Sequence, residues 1–285
     1  MRQQFTKDIK NIVVKVGTSV LTKNGQFDRP LVNALAHQLS NFLKQGIHVS
    51  VVSSGAIGGG MAILKMKDRP RTTEGLQGAA AVGQRYLMQC YEKAFSKRGF
   101  STAQVLLTWD DLAVKKRFLN AKRTLKKIQK WGLVPVINEN DTVATDEIHF
   151  GDNDRLSSLL AILVEADVQV ILSDTNGLFS GDPRDPENRI RIVKKMEPSI
   201  FSHVKDKKTS FTIGGMHSKL SAIRTSVTSG IPVFLANGRD PDVLTRIFNG
   251  EDLGTLFLPN LKKGHSKKDW LKHFLKHIKR TSFRT

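Results

Sequence analysis

The chain has 285 residues, 39% of them hydrophobic, and its 45 Lys and Arg against 26 Asp and Glu give a formal charge of +19. That much apolar material excludes a wholly disordered chain and suffices for one large α/β domain or two small ones. A lone cysteine, Cys90, excludes an intramolecular disulfide, residues 1–10 lack the apolar stretch of a secretory signal, and nothing approaches the roughly 20 apolar residues that span a bilayer, so a cytoplasmic protein is expected.

Short β-rich runs alternate with helical patterns, which predicts a mostly parallel sheet covered by helices. The first strand, 11–17, is apolar at Ile12, Val13, Val14 and Val16, as a buried parallel strand requires, and Lys15 interrupts it. Ligands of open α/β sheets bind beyond the carboxyl ends of strands, so Lys15 is either directed at a ligand or an edge-strand lysine facing solvent. Gly17, Thr18 and Ser19 favour the ligand, because a backbone without Cβ followed by two hydroxyls can approach phosphate oxygens closely. No G-x-x-x-x-G-K-[ST] occurs, so a nucleotide site here is of another type. A helix at 31–44 and a strand at 47–53 follow. Ser54, Gly55, Ala56, Ile57, Gly58, Gly59 and Gly60 then read as a small-residue loop, either gathering N–H groups around an anion or serving as a flexible connector.

The helix predicted over 76–97 sets Cys90 beside Met88 and Tyr91, apolar surroundings rather than a metal cluster. After a strand at 102–107, a helix at 116–131 combines an apolar stripe of Phe118, Leu119, Leu125 and Ile128 with many lysines and arginines. That basic face reads as solvated surface, since no nucleic-acid recognition motif accompanies it. The strand at 133–137 runs into Asn138, Glu139, Asn140 and Asp141, and Gly151, Asp152, Asn153 and Asp154 open a helix at 156–166. Turns and an N-cap use some of these side chains. Their density favours acceptors for the ammonium group of a substrate. A strand at 168–173 ends in Ser173 and Asp174, before the turn-forming Asn176-Gly177 and Asp182-Pro183-Arg184. Their place beyond a strand end suggests the rim of a nucleotide pocket. Gly214, Gly215, Met216, His217, Ser218 and Lys219 lead into a helix at 218–229, so backbone donors and a lysine point charge meet at one helix start. A lysine there opposes the helix dipole unless an anion offsets it. A strand at 231–235 completes the set.

The segments Val14-Lys-Val-Gly-Thr-Ser-Val-Leu-Thr22, Ser53-Ser-Gly-Ala-Ile57, Ala81-Val-Gly-Gln84, Arg117-Phe-Leu-Asn-Ala121, Val134-Pro-Val-Ile-Asn-Glu-Asn-Asp-Thr-Val-Ala144, Gly151-Asp-Asn-Asp154, Asp182-Pro-Arg184, Gly214-Gly-Met-His-Ser-Lys219 and Gly254-Thr-Leu-Phe257 resemble the amino acid kinase family. Within that family the resemblance is to the branch that phosphorylates glutamate, carried by Asn-Glu-Asn-Asp and the later Gly-Asp-Asn-Asp. It implies a three-layer α/β sandwich and ATP-dependent transfer of a phosphoryl group to the γ-carboxylate of L-glutamate, the first step of proline biosynthesis. It also implies Mg²⁺ carried by ATP rather than by protein ligands, feedback inhibition by proline, and homo-oligomers.

Residue by residue, the resemblance makes Lys15 and Lys219 phosphate-contacting lysines and Asp154 the carboxylate that orients them. Ser54, Gly55, Ala56, Asn138, Asp141 and Asn153 become substrate contacts. Lys15, Gly17, Thr18, Ser173, Asp174, Gly214, Gly215, Met216, His217, Ser218 and Lys219 become ATP contacts. Ser173 replaces the threonine more usual there, and Ile213 stands where a hydroxyl residue is common. The kinase region is expected over 1–259, with a basic tail over 260–285 that is too short for the PUA domain found in many bacterial members. Trp270, Leu271, Phe274, Leu275 and Ile278 give the tail one helical apolar stripe. Packing on the kinase region or a neighbouring subunit is favoured over contact with RNA or anionic lipid. The alternative functions are a kinase of another carboxylate, such as N-acetylglutamate, and a basic RNA-binding module with vestigial kinase loops.

Overall fold

The computed structural model describes residues 2–23, 26–144, 153–202 and 215–260. Its strands are β1 (Asn11–Val16), β2 (Thr22–Lys23), β3 (Gln26–Phe27), β4 (His48–Ser53), β5 (Thr102–Leu107), β6 (Val134–Glu139), β7 (Val168–Ser173), β8 (Leu178–Phe179), β9 (Arg189–Ile190), β10 (Ile192–Val193), β11 (Val233–Asn237) and β12 (Thr255–Phe257). Its α-helices are α1 (Thr18–Leu21), α2 (Arg29–Lys44), α3 (Ala56–Ile63), α4 (Thr73–Ser96), α5 (Trp109–Ala113), α6 (Lys115–Lys130), α7 (Asn153–Leu163), α8 (Pro198–Ser202), α9 (Met216–Thr228) and α10 (Val243–Phe248).

Eight strands form one sheet in the order β10-β12-β11-β7-β1-β4-β6-β5, and each neighbouring pair is parallel except β11 with β12. The alternation of side chains along β1 divides the core. Ile12, Val14 and Val16 pack with Leu35 and Leu39 of α2, Leu87 and Phe95 of α4, and Leu244 and Ile247 of α10. On the other face Val13 packs with Phe118 and Leu125 of α6 and Leu159 and Leu160 of α7, while Ile171 and Val233 pack with Leu220 and Ile223 of α9. The result is the three-layer sandwich, with strands buried on both faces and therefore apolar almost throughout.

Local chemistry places the helices. Asp28 caps α2 by accepting from the Leu31 N–H at 3.1 Å, with Pro30 in the first turn. Thr72 caps α4 through the Gly75 N–H at 3.2 Å, and Thr108 and Asp111 form a reciprocal capping box at α5. One expectation is corrected: residues 56–60 are not a loop but the start of α3. Their glycines serve packing. A Cβ on Gly60 would lie 1.8 Å from the Ala79 carbonyl oxygen, and one on Gly83 would lie 1.8 Å from that of Ala56. Glycine at both positions lets α3 and α4 cross backbone to backbone. Among the described residues no helix is long and apolar enough to cross a membrane, and Cys90 is buried on α4 with no disulfide.

Candidate active site

β1 lies between β7 and β4, with Lys15 opposite Ile171 on one side and Val52 on the other. The edge-strand reading of Lys15 is therefore overturned. It sits on the α7 and α9 side of the sheet, only 5% exposed. A buried ammonium needs a counter-charge, and α7 supplies one. Asp154, in the first turn of that helix and 2% exposed, places Oδ1 2.6 Å from Lys15 Nζ and Oδ2 3.3 Å from Lys219 Nζ. Burial by itself would raise the Asp154 pKa, but the two ammonium groups outweigh it and hold the carboxyl below its ordinary range. Lys219 stands in the first turn of α9, where the helix dipole opposes a cation; Asp154 is the anion that offsets it.

The two helices that carry this cluster are joined beneath it. Ser157 and Ser158 donate to the Asp154 carbonyl oxygen at 2.6 and 3.3 Å. Gln169 of β7 donates to Ser157 at 2.8 Å and accepts from Ser226 of α9. Ser158 also reaches the Ala222 carbonyl oxygen of α9 at 2.8 Å. All four side chains are buried, so the polar seam is satisfied internally rather than by solvent.

Beside Asp154, Asn153 begins a row of buried amides and hydroxyls. Its Nδ2 donates to Ser54 Oγ at 3.1 Å and to Asn138 Oδ1 at 2.9 Å, while Asn138 Nδ2 donates to Gln84 Oε1 at 2.8 Å. Gly55 follows Ser54 with φ of 102°, a left-handed conformation that glycine adopts freely, and it turns the chain from β4 into α3 at Ala56. Asp141, in the turn after β6, is buried, and its carboxyl is pushed up to about 6 by burial, opposed in part by the charge of Arg69. The arrangement offers a dense set of fixed acceptors and donors on one flank of the lysine pair.

On the other flank the ends of β7 and β11 meet. Ser173 is buried and donates to Asp174 Oδ1 at 3.0 Å, and Asp174 is exposed. The Gly238 N–H donates to the Ser173 carbonyl oxygen at 2.8 Å. Gly17 and exposed Thr18 enter α1 directly after β1, and a Cβ on Gly17 would stand 3.5 Å from Lys15 Nζ. Gly215 is the N-cap of α9, ahead of Met216 and half-buried Ser218, whereas His217 stacks edge-on against Phe201 with ring centroids 5.3 Å apart. Gly151, Asp152, Ile213, Gly214 and the tail beyond Asn260 lie outside the described residues.

The structure thus brings Lys15, Asp154 and Lys219 into one ion cluster and Ser54, Asn138 and Asn153 into one hydrogen-bonded row. Gln84 and Arg69 were not named as site residues from the sequence. Gln84 was visible only as the last letter of a motif segment, and Arg69 sits in a connector that carries no periodic pattern. Among the described residues no group of three His, Cys, Asp or Glu side chains is arranged to hold a metal ion.

Comparison with known proteins gives one consistent result. A model of the amino acid kinase family matches residues 10–237. A glutamate 5-kinase of Thermoanaerobacter sp. (strain X514) is 45% identical over 263 residues, covering 91% of this chain and 71% of the relative. That of Citrifermentans bemidjiense is 44% identical over 279 residues, covering 97% of this chain and 75% of the relative. Among solved structures, UMP kinase from Bacillus anthracis superposes with a TM-score of 0.57 at 15% identity, over 89% of this chain and 97% of that one, a likeness of fold.

Proposed function

The chain belongs to the amino acid kinase family, and on that premise we infer that it transfers the γ-phosphoryl group of ATP to the γ-carboxylate of L-glutamate, the first step of proline biosynthesis. One observation carries the mechanism: two lysines from different elements converge on Asp154, beside a row of amides suited to an amino acid. The acceptor carboxylate, with a reference pKa of about 4.3, is already ionised at neutral pH, so no general base is required. The difficulty is electrostatic, because an anion must approach an anionic phosphate and charge then spreads over the transferring group. Lys15 and Lys219 bring positive charge to that place, and Asp154 fixes both ammonium groups before the substrates arrive. Buried side chains need no reorganisation when the charge moves.

Ser54, Asn138 and Asn153, with the backbone at Gly55 and Ala56, bind the amino acid in this reading, and Asp141 accepts from its ammonium group. Gly17, Thr18, Ser173, Asp174 and the start of α9 from Gly215 bind the nucleotide. Mg²⁺ bound to the phosphates of ATP would supply further charge neutralisation. Each lysine takes one oxygen of Asp154, an arrangement that suits this carboxylate to orienting the two ammonium groups. Cytoplasmic location, homo-oligomer formation and inhibition by proline complete the proposal. The deciding assay is ADP release from Mg-ATP with L-glutamate, N-acetylglutamate or L-aspartate, repeated with proline. Turnover with glutamate alone, reduced by proline, is the expected result; turnover only with N-acetylglutamate would refute the substrate.

A further inference from the structure

We propose that Gln84 is a further substrate-binding residue, whose side-chain NH₂ donates a hydrogen bond to the α-carboxylate of the amino acid; this rests on the glutamate-kinase reading above. The direction of the hydrogen bonds carries the argument. The Glu139 backbone N–H, which can only donate, gives to the Asn138 side-chain oxygen at 2.9 Å. That oxygen also receives Asn153 Nδ2 at 2.9 Å, so Asn138 has its NH₂ left for Gln84 and uses it, at 2.8 Å to Oε1. Gln84 must therefore present its oxygen to Asn138 and turn its own NH₂ elsewhere. The backbone fixes the sense of the whole row.

Gln84 is 9% exposed, and its Nε2 is buried with no hydrogen-bond partner among the described residues. A buried donor without a partner is costly and rare in native proteins, and Gln84 Nε2 is therefore a place where a ligand atom can complete the bonding. What completes it must be an acceptor. Its position along the row identifies which one. The reacting γ-carboxylate belongs at the lysines around Asp154, and Gln84 is the far member of the sequence Asn153, Asn138, Gln84. The far end of glutamate carries an ammonium group and the α-carboxylate. A donor such as Gln84 Nε2 suits the carboxylate, whereas an acceptor such as Asp141 suits the ammonium. Gln77, two turns earlier on α4, is not an equivalent candidate, because its Nε2 already donates to the Ala144 carbonyl oxygen at 3.1 Å. That bond and the Gly60–Gly83 crossing hold α4 in place independently of Gln84.

The test is steady-state ADP release by the full chain as the parent, as Gln84→Glu and as Gln84→Met, with glutamate and ATP varied separately and thermal midpoints measured alongside. Gln84→Glu keeps an oxygen for Asn138 and sets a negative charge where the donor was; Gln84→Met removes the donor without adding charge. The glutamate KM is expected to rise about fivefold or more, further in Gln84→Glu than in Gln84→Met, with the ATP KM and kcat within about threefold of the parent. A smaller rise in whichever variants fold overturns the proposal, as does a parallel rise in both KM values with a falling thermal midpoint, which would make Gln84 merely structural. A parent without glutamate-dependent ADP release would instead sink the glutamate-kinase reading, and this inference with it.

Discussion

Removing one member of the Lys15–Asp154–Lys219 cluster should have separable effects on rate and on stability, because in the proposed mechanism the lysines act on the phosphoryl group while Asp154 holds the lysines. Lys219→Ala should lower kcat by about 10²–10³, with a smaller change in either KM, since the charge it supplies matters most as the phosphoryl moves. Near-normal turnover in that variant would remove Lys219 from the mechanism. Asp154→Asn leaves the buried ammonium of Lys15 and the partly buried one of Lys219 without their anion, which should cost roughly 3–5 kcal/mol in denaturant unfolding as well as activity. The two buried acids respond oppositely to pH. Asp154, with its pKa held down, stabilises the fold above the ordinary carboxylate range and loses that contribution as pH falls through its lowered value. Asp141, raised from 3.8 to about 6, is least costly when protonated and weakens the fold as pH rises through about 6. Asp141→Asn should therefore gain up to roughly 3 kcal/mol at pH 8 and nothing near pH 3. The same variant should raise the glutamate KM, and in the parent that KM should climb as pH drops below about 6.

At the scale of elements, the α3–α4 crossing leaves no room for a methyl group. Gly83→Ala would press on the Ala56 carbonyl oxygen, so a loss of about 2–3 kcal/mol or more is expected in chemical denaturation. Because Ala56 begins α3 beside Ser54, the glutamate KM should rise as well. This crossing also shows where the sequence misleads. Gly58, Gly59 and Gly60 suggest a loop by propensity, but their lack of side chains permits a helix contact that repays the cost. The longer strands were legible because double burial makes them continuous apolar runs; β5 and β7 have the bounds expected, and β1, β4, β6 and β11 shift by one or two residues at their ends. The helices α1, α5 and α10 span four to six residues, too short for an apolar period to show. Lys15 and the amides were legible as residues that interrupt an apolar strand or crowd strand ends, and Lys219 as a cation at a glycine-led helix start. Gln84 was not, since a glutamine on a buried helix face announces nothing until its hydrogen bonds are known.

For the whole molecule, strand order does what the sequence cannot: it puts β1 in the middle, with β4 and β6 to one side and β7 and β11 to the other. In the proposal Ser54, Asn138 and Asp141 lie at or just after the ends of strands of the first side, Ser173 and Asp174 at the end of a strand of the second, and Lys15, Gly17 and Thr18 belong to the strand between them and its end. Kinetic effects should divide the same way. Ser54→Ala is expected to raise the glutamate KM several-fold and leave the ATP KM near the parent value, while Asp174→Ala does the reverse. Variants that raised both equally would dissolve the division. The buried acid on the amino-acid side has a further implication, for selection in the laboratory. A library ranked only on survival of heating, with no substrate present, would enrich uncharged residues at position 141, because each spares the fold an ionised group in a poorly solvated place. The winners would endure heat and bind glutamate badly. Heating the same library in saturating glutamate would work against that ranking, since bound substrate adds most stability to the protein that grips it most tightly.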